Sequence, residues 1–212
     1  MIEDDLDYYR QEEALDELFA EHTNEFKKEL AFDALLKTET DVLVVRGVLE
    51  ETAKVLPVSP TAAHLLAASA CEMVIRKLLF VPVLTGLIHT DIAVTVVVQA
   101  TSRLQRDQLD KALTTLLSSL TFTNLAKTRR TRKGSLILTE AADIAKKRDA
   151  IVHHGERADA KTAEEAMKVA DYLLNNVFAG LLHEHRLRML APGEKQPISR
   201  RGSRNKVIVR LH

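Results

Sequence analysis

The sequence predicts an all-α fold, a helical bundle, and three observations predict it. Hydrophobic residues make up 46% of the 212, with seven Gly, five Pro and no Trp, a balance that suits helices on one core better than a β-sandwich or a disordered chain. Apolar side chains recur at spacings of three and four over several long stretches, the period of a helix with one buried face. Helix punctuation stands where it is needed, with Ser59-Pro60 opening one stretch and Gly155 closing another. A chain of this length can bury its core as one domain with extensions. The expected division is an acidic N-terminal helical extension over 1–54, a helical domain over 55–190 and a basic tail over 191–212.

The first 51 residues supply one or two helices through Tyr8, Leu15, Leu18, Phe19, Phe26, Leu30 and Leu35. The next helix begins with Ser59 as N-cap and Pro60 in its first turn, and its pattern runs to about Leu79. Leu65, Ala68, Ile75 and Leu79 share one face of it, with Glu72 at the centre of that face. Because this helix is apolar nearly all round, it belongs in the middle of the bundle. Cys71, the single cysteine, lies in the same stretch and reads as a core residue; no disulfide framework exists, which points to a reducing compartment. The acidic start, Met1 to Asp5, lacks the order of a signal peptide, so the expected location is cytoplasmic.

The run Leu78 to Val98 is apolar, but Pro82, Gly86, His89 and Asp91 interrupt it, and it reads as buried core rather than a membrane span. Its β-branched second half, Ile92 to Val98, fits a helix or a short β insertion equally. Gln105 to Leu120 is amphipathic through Leu109, Ala112, Leu113, Leu116, Leu117 and Leu120. Leu136 to His154 follows, with Ile137, Ala141, Ile144, Ala145, Ile151 and Val152 on its apolar face. The last helix is expected from Thr162, capped with Glu165 as a capping box, to about Leu190. From Ser199 the tail begins as a basic linker and ends in a strand-like alternation, suited to gripping RNA or adding a strand to a partner.

Net charge is zero but unevenly spread. Residues 1–30 hold eleven acids against three Lys/Arg, whereas 183–212 hold two acids against eight. A second basic cluster, Lys127, Arg129, Arg130, Arg132 and Lys133, puts five cations into seven residues just before Gly134. Such a loop can track a phosphate backbone through counterion release, although no aromatic residues interleave with it to stack bases. A Walker loop, a dinucleotide fingerprint, a Gly-x-Ser-x-Gly elbow and zinc-finger spacing are all absent from the sequence. His183 and His185 diverge on a helix, so neither a metal nor a cofactor is expected.

The most informative segment is Arg148-Asp149-Ala150-Ile151-Val152-His153, followed by His154-Gly155. Arg148 falls in the middle of an apolar helix face, and an unpaired guanidinium there costs several kcal/mol, on the order of the penalty for a buried ion. A carboxylate or phosphate must therefore meet it. Glu72, the opposite charge in the middle of another apolar face, is the expected partner and would orient the guanidinium for a phosphate. Residues five apart diverge by about 140° on an ideal helix, so Arg148 and His153 cannot converge within one continuous helix. Either the helix ends near His153 or a second chain completes the site.

Arg-x4-His at a helix end, followed by a small residue, resembles the signature of the HEPN (higher eukaryotes and prokaryotes nucleotide-binding) domains, many of which are metal-independent ribonucleases of toxin and antiviral-defence systems. A polar residue usually follows the Arg in that family, and Asp149 fits. The resemblance covers residues 57–185. It implies a HEPN-like helical bundle, a homodimer in which the motifs of both protomers meet, RNA as substrate, and a regulatory partner such as an antitoxin. It implies catalysis by His153 as general base or acid and Arg148 as stabiliser of phosphorane charge, with Asp149 orienting an imidazole. The basic loop and His154 would hold the RNA. A catalytically silent RNA- or nucleotide-binding or dimerisation domain is the alternative.

Overall fold

A computed structural model describes residues 30, 32–87, 127–185, 187–189 and 198–200. The expected helix over 105–120, the ambiguous run 92–98, residues 1–29 and the end of the tail lie outside them. The described chain is an all-α helical bundle, as the periodicity predicts, with a short two-stranded ribbon added at one end.

Helix α1, Glu39–Val55, carries Glu39 and Asp41 in its first turn and Lys54 in its last, charges that complement the helix dipole. Helix α2, Pro60–Met73, starts as predicted, with the Ser59 hydroxyl accepting from the Ala62 N–H at 3.4 Å. It does not stop near Leu79. The chain continues through a π-helical stretch, Val74–Phe80, into α3, Val81–Leu87. Pro82 explains the change of geometry, since a proline ring clashes with the carbonyl four residues back and offers no N–H. Opening the turn, so that the Val81 N–H reaches the Arg76 carbonyl, relieves that crowding without ending the helix.

Helix α4, Ile137–His154, ends where the sequence places its end, on Gly155 in the left-handed region at φ 67°. Helix α5, Ala160–Tyr172, begins earlier than the Thr162 capping box suggests. Asp159 is the N-cap, its carboxylate accepting from the Thr162 N–H at 2.7 Å. A second π stretch, Leu173–Phe178, leads into α6, Ala179–Glu184. The helix expected to reach Leu190 therefore ends at Glu184. Leu187–Met189 forms strand β1 instead, pairing antiparallel with β2, Ile198–Arg200. Ile198 is buried in the core, so Ser199 and Arg200, expected to open a basic linker, belong to a strand held against the bundle.

As its all-round apolar pattern predicts, α2 sits centrally, packed on α1, α4 and α5. Its pairing with α5 is the most extensive, and the buried residues are small on both sides: Ala63, Ala67 and Ala70 on α2, Ala163, Ala166 and Ala170 on α5. Small side chains let the axes approach toward the short end of the roughly 8–10 Å range. Cys71 is buried in this region, its thiol 4.0 Å from the Ala166 carbonyl. The two π stretches pack on each other and bring Leu78, Leu79, Leu173, Leu174 and Phe178 into the centre, each such side chain contributing roughly 1.5–3 kcal/mol on burial. Among the described residues, no helix is long and apolar enough to cross a membrane.

Candidate functional site

Arg148 and Glu72 meet. The Arg148 Nη1 donates to Glu72 Oε2 at 2.7 Å, tying α4 to α2. The opposite edge of the guanidinium grips its own neighbour, with Nε and Nη2 donating to Asp149 Oδ1 at 3.0 and 2.8 Å. The Asp149 hydrogen bond raises the Arg148 pKa most; burial opposes it, and the charges of Asp149 and Glu72 add to the rise. The guanidinium therefore stays charged. Its surroundings differ from the buried mid-face position that the sequence suggests. The side chains of Arg148 and Glu72 keep 30% and 37% of their surface exposed, so the pair lies at the rim of the helix interface. A partly solvated pair of this kind stabilises the fold by about 1 kcal/mol at most. Its position leaves the cation accessible to a ligand.

Val152 explains how the rim arises. Expected on the apolar face, it is 61% exposed. It stands one turn beyond Arg148, about 40° away around the axis, so both lie on the edge where α4 turns from its neighbours to solvent. Asp149, expected to orient an imidazole, turns its Oδ1 to Arg148 and keeps about half of its side-chain surface exposed. His153 and His154 are exposed in the last helical turn. The helix is continuous through His154, so within one protomer Arg148 and His153 leave it about 140° apart, as ideal geometry requires. Gly155 then reverses the chain, its N–H donating to the Ile151 carbonyl at 3.1 Å, and Lys147 pairs with Glu156 at 2.6 Å to close the corner.

The basic segment before α4 is a tight loop. Arg129 and Leu136 form an antiparallel bridge, the Ile137 N–H donates to the Thr128 carbonyl at 2.9 Å, and the Gly134 N–H to the Thr131 carbonyl at 3.0 Å. Lys127, Arg129, Arg132 and Lys133 are exposed. Arg130 is not available in the same way. Its Nε donates to Glu140 at 3.1 Å and its Nη2 to Glu165 at 2.7 Å, so it clamps the loop to α4 and α5. Burial works against its charge, but its hydrogen bonds to Glu165 and Glu140 prevail and raise its pKa. Tyr172 adds a hydroxyl donor to the Arg129 carbonyl at 3.1 Å, and the Arg129 guanidinium donates to the Gly134 carbonyl.

Sequence reasoning passed over two residues near this site. His64, 1% exposed, places Nε2 3.2 Å from the Ile144 carbonyl, one turn before Arg148, while its Nδ1 has no hydrogen-bond partner among the described residues. The hint was a histidine on a helix that is apolar nearly all round. Arg76 places Nε 3.0 Å from Glu72 Oε1, and its signal was the spacing of four from Glu72. Among the described residues, no three His, Cys, Asp or Glu side chains gather in a metal-binding group. No family model, curated protein or solved structure matches this chain.

Proposed function

We propose that this protein is a metal-independent endoribonuclease of the HEPN type, acting as a homodimer in a toxin or antiviral-defence setting. One observation carries the reading: an accessible, permanently charged Arg148, held by Glu72 and Asp149, stands five residues before an exposed His153 on a helix that ends at Gly155. Arg148 turns its remaining guanidinium N–H groups toward a scissile phosphate and offsets the charge that builds on its non-bridging oxygens. The ribose 2′-oxygen loses its proton to a base and attacks phosphorus. The P–O5′ bond breaks, the departing 5′-oxygen takes a proton from an acid, and the products carry a 2′,3′-cyclic phosphate and a 5′-hydroxyl.

Two proton-transfer groups are needed, and His153 supplies both when two protomers each contribute one. The divergence of Arg148 and His153 within a protomer supports a site completed by a second chain. Lys127, Arg129, Arg132, Lys133 and His154 grip the RNA backbone away from the scissile bond. The loop enters α4 eleven residues before Arg148, roughly 16 Å along the axis, a span of about five nucleotides at the ~3.4 Å spacing of phosphates along one strand of a duplex. An antitoxin or other regulatory protein is the expected partner.

A second reading has an observation in its favour. Arg148 already has two carboxylate partners, which suits a silent RNA-binding or dimerisation domain in which the cluster only joins helices. One experiment separates the two: incubation of total RNA in EDTA with the wild type, Arg148→Ala, Arg148→Met and His153→Ala, each checked for dimer mass and helicity. The nuclease reading expects cleavage with cyclic-phosphate ends by the wild type alone, at least 100-fold above every variant. An inactive, well-folded wild-type dimer whose stability survives Arg148→Met gives the scaffold reading its place.

A further inference from the structure

Glu72 divides its carboxylate between two arginines. Oε2 accepts from Arg148 Nη1 at 2.7 Å, and Oε1 lies 3.0 Å from Arg76 Nε as an ion pair. A spacing of four on a helix often gives no more than a surface ion pair. The geometry here is different in two respects. One carboxylate serves two guanidinium groups, its Oε1 standing against Arg76 Nε and its Oε2 against Arg148 Nη1, so neither arginine has it to itself. The Arg76 side chain also retains 37% of its surface, against 30% for Arg148, so both guanidinium groups stand at the same rim of the α2–α4 contact.

We propose that Arg76 is a second RNA-binding guanidinium, taking the phosphodiester next to the one held by Arg148, with Glu72 as the spacer that sets the two forks side by side. This rests on the assignment of RNA as ligand made above. A planar guanidinium matches two phosphate oxygens at once, which a lysine at this position would not do. Glu72 and Asp149 balance the two cations, so both arginines remain in place without a ligand. Phosphate then competes for N–H groups that the carboxylates leave unused.

The test separates binding from cleavage by using a fluorescent single-stranded 2′-O-methyl RNA, which lacks the attacking hydroxyl and cannot be cut. Its affinity for the full-length protein is measured by anisotropy between 50 and 200 mM salt for the wild type, Arg76→Gln, Arg76→Lys and Lys54→Gln, the last a surface-charge control on α1. Arg76→Gln is expected to lower the slope of log affinity against log salt by about 0.7, the loss of one single-strand phosphate contact. Arg76→Lys restores the slope because counterion release counts charge, and Lys54→Gln matches the wild type. A wild-type slope in Arg76→Gln overturns the proposal. So does a loss that comes with lower helicity and that Arg76→Lys does not repair. Unmodified RNA in EDTA keeps the two ideas apart. Binding with the expected slope change but no cleavage preserves the role of Arg76 and removes the nuclease; cleavage with an unchanged slope does the reverse. Absence of any binding by the wild type removes both.

Discussion

Gly155 is a position where one side chain would be enough to disturb the end of the signature helix. Its φ of 67° lies in the left-handed region, yet a Cβ there meets nothing within 4 Å. Substitution therefore costs backbone strain alone. Gly155→Ala is expected to destabilise the protein by about 1 kcal/mol, read as a lower denaturant midpoint with an unchanged slope. Gly134 is the opposite case: a Cβ there would stand 2.5 Å from Thr131 Oγ1, so the obstacle is a neighbouring side chain in the loop. The left-handed end at Gly155 was legible in the sequence, because glycine after a periodic run is a local signal. Asp149 was not. Whether a carboxylate reaches forward to a histidine or sideways to the adjacent arginine depends on rotamers, and one residue of spacing allows either. Val152 was misjudged because helical periodicity gives an angle around the axis and says nothing of where the neighbouring helix stops covering it.

At the level of the element, the basic loop shows how charge counting and structure diverge. Five cations in seven residues read as an undivided phosphate grip, but Arg130 spends its guanidinium on Glu140 and Glu165, carried by two helices that the sequence could not place beside it. That clamp gives the exposed cations a fixed platform. Arg130→Met is expected to leave the helices folded while loosening the loop, so that trypsin cuts after Arg132 and Lys133 several-fold faster than in the wild type, with unchanged far-UV dichroism. Equal digestion rates would show that the remaining bonds hold the loop unaided. The cap of α5 follows the same logic. A capping box at Thr162 and Glu165 satisfied the sequence rule, but Asp159, three residues earlier, takes the Thr162 N–H first and leaves Glu165 free to meet Arg130.

Across the molecule, the order and centrality of the helices were legible because burial writes a period into the sequence. The ribbon was not, since β1 and β2 have three residues each and their pairing is non-local. Ion pairs and caps spread over the bundle set its acid response. Lys147 lowers the Glu156 pKa, the Thr162 hydrogen bonds lower Asp159, and Lys168 with Arg130 lowers Glu165. Each of these favours the folded state near neutrality, and the gain is lost as pH falls through the depressed folded values. Burial raises Glu39, which works in the other direction. With three groups against one, the melting temperature is expected to fall below about pH 4, and Asp159→Asn should flatten that fall while still capping α5. Thermal melts between pH 7 and 3 check it; parallel curves for the two proteins would exclude Asp159 as a contributor. The paired π stretches, Val74–Phe80 and Leu173–Phe178, bear on how this chain can change over generations. A turn closed over five residues holds one more than a turn closed over four. Losing a residue inside Leu173–Phe178 lets the helix relax to ordinary winding with its later faces still aimed at the core; the same loss in Val74–Phe80 would also return the Pro82 ring to the carbonyl four residues back, and a loss elsewhere turns every following side chain by about 100°. Leu173–Phe178 is thus a place in these helices where lineages can differ in length and still share one fold.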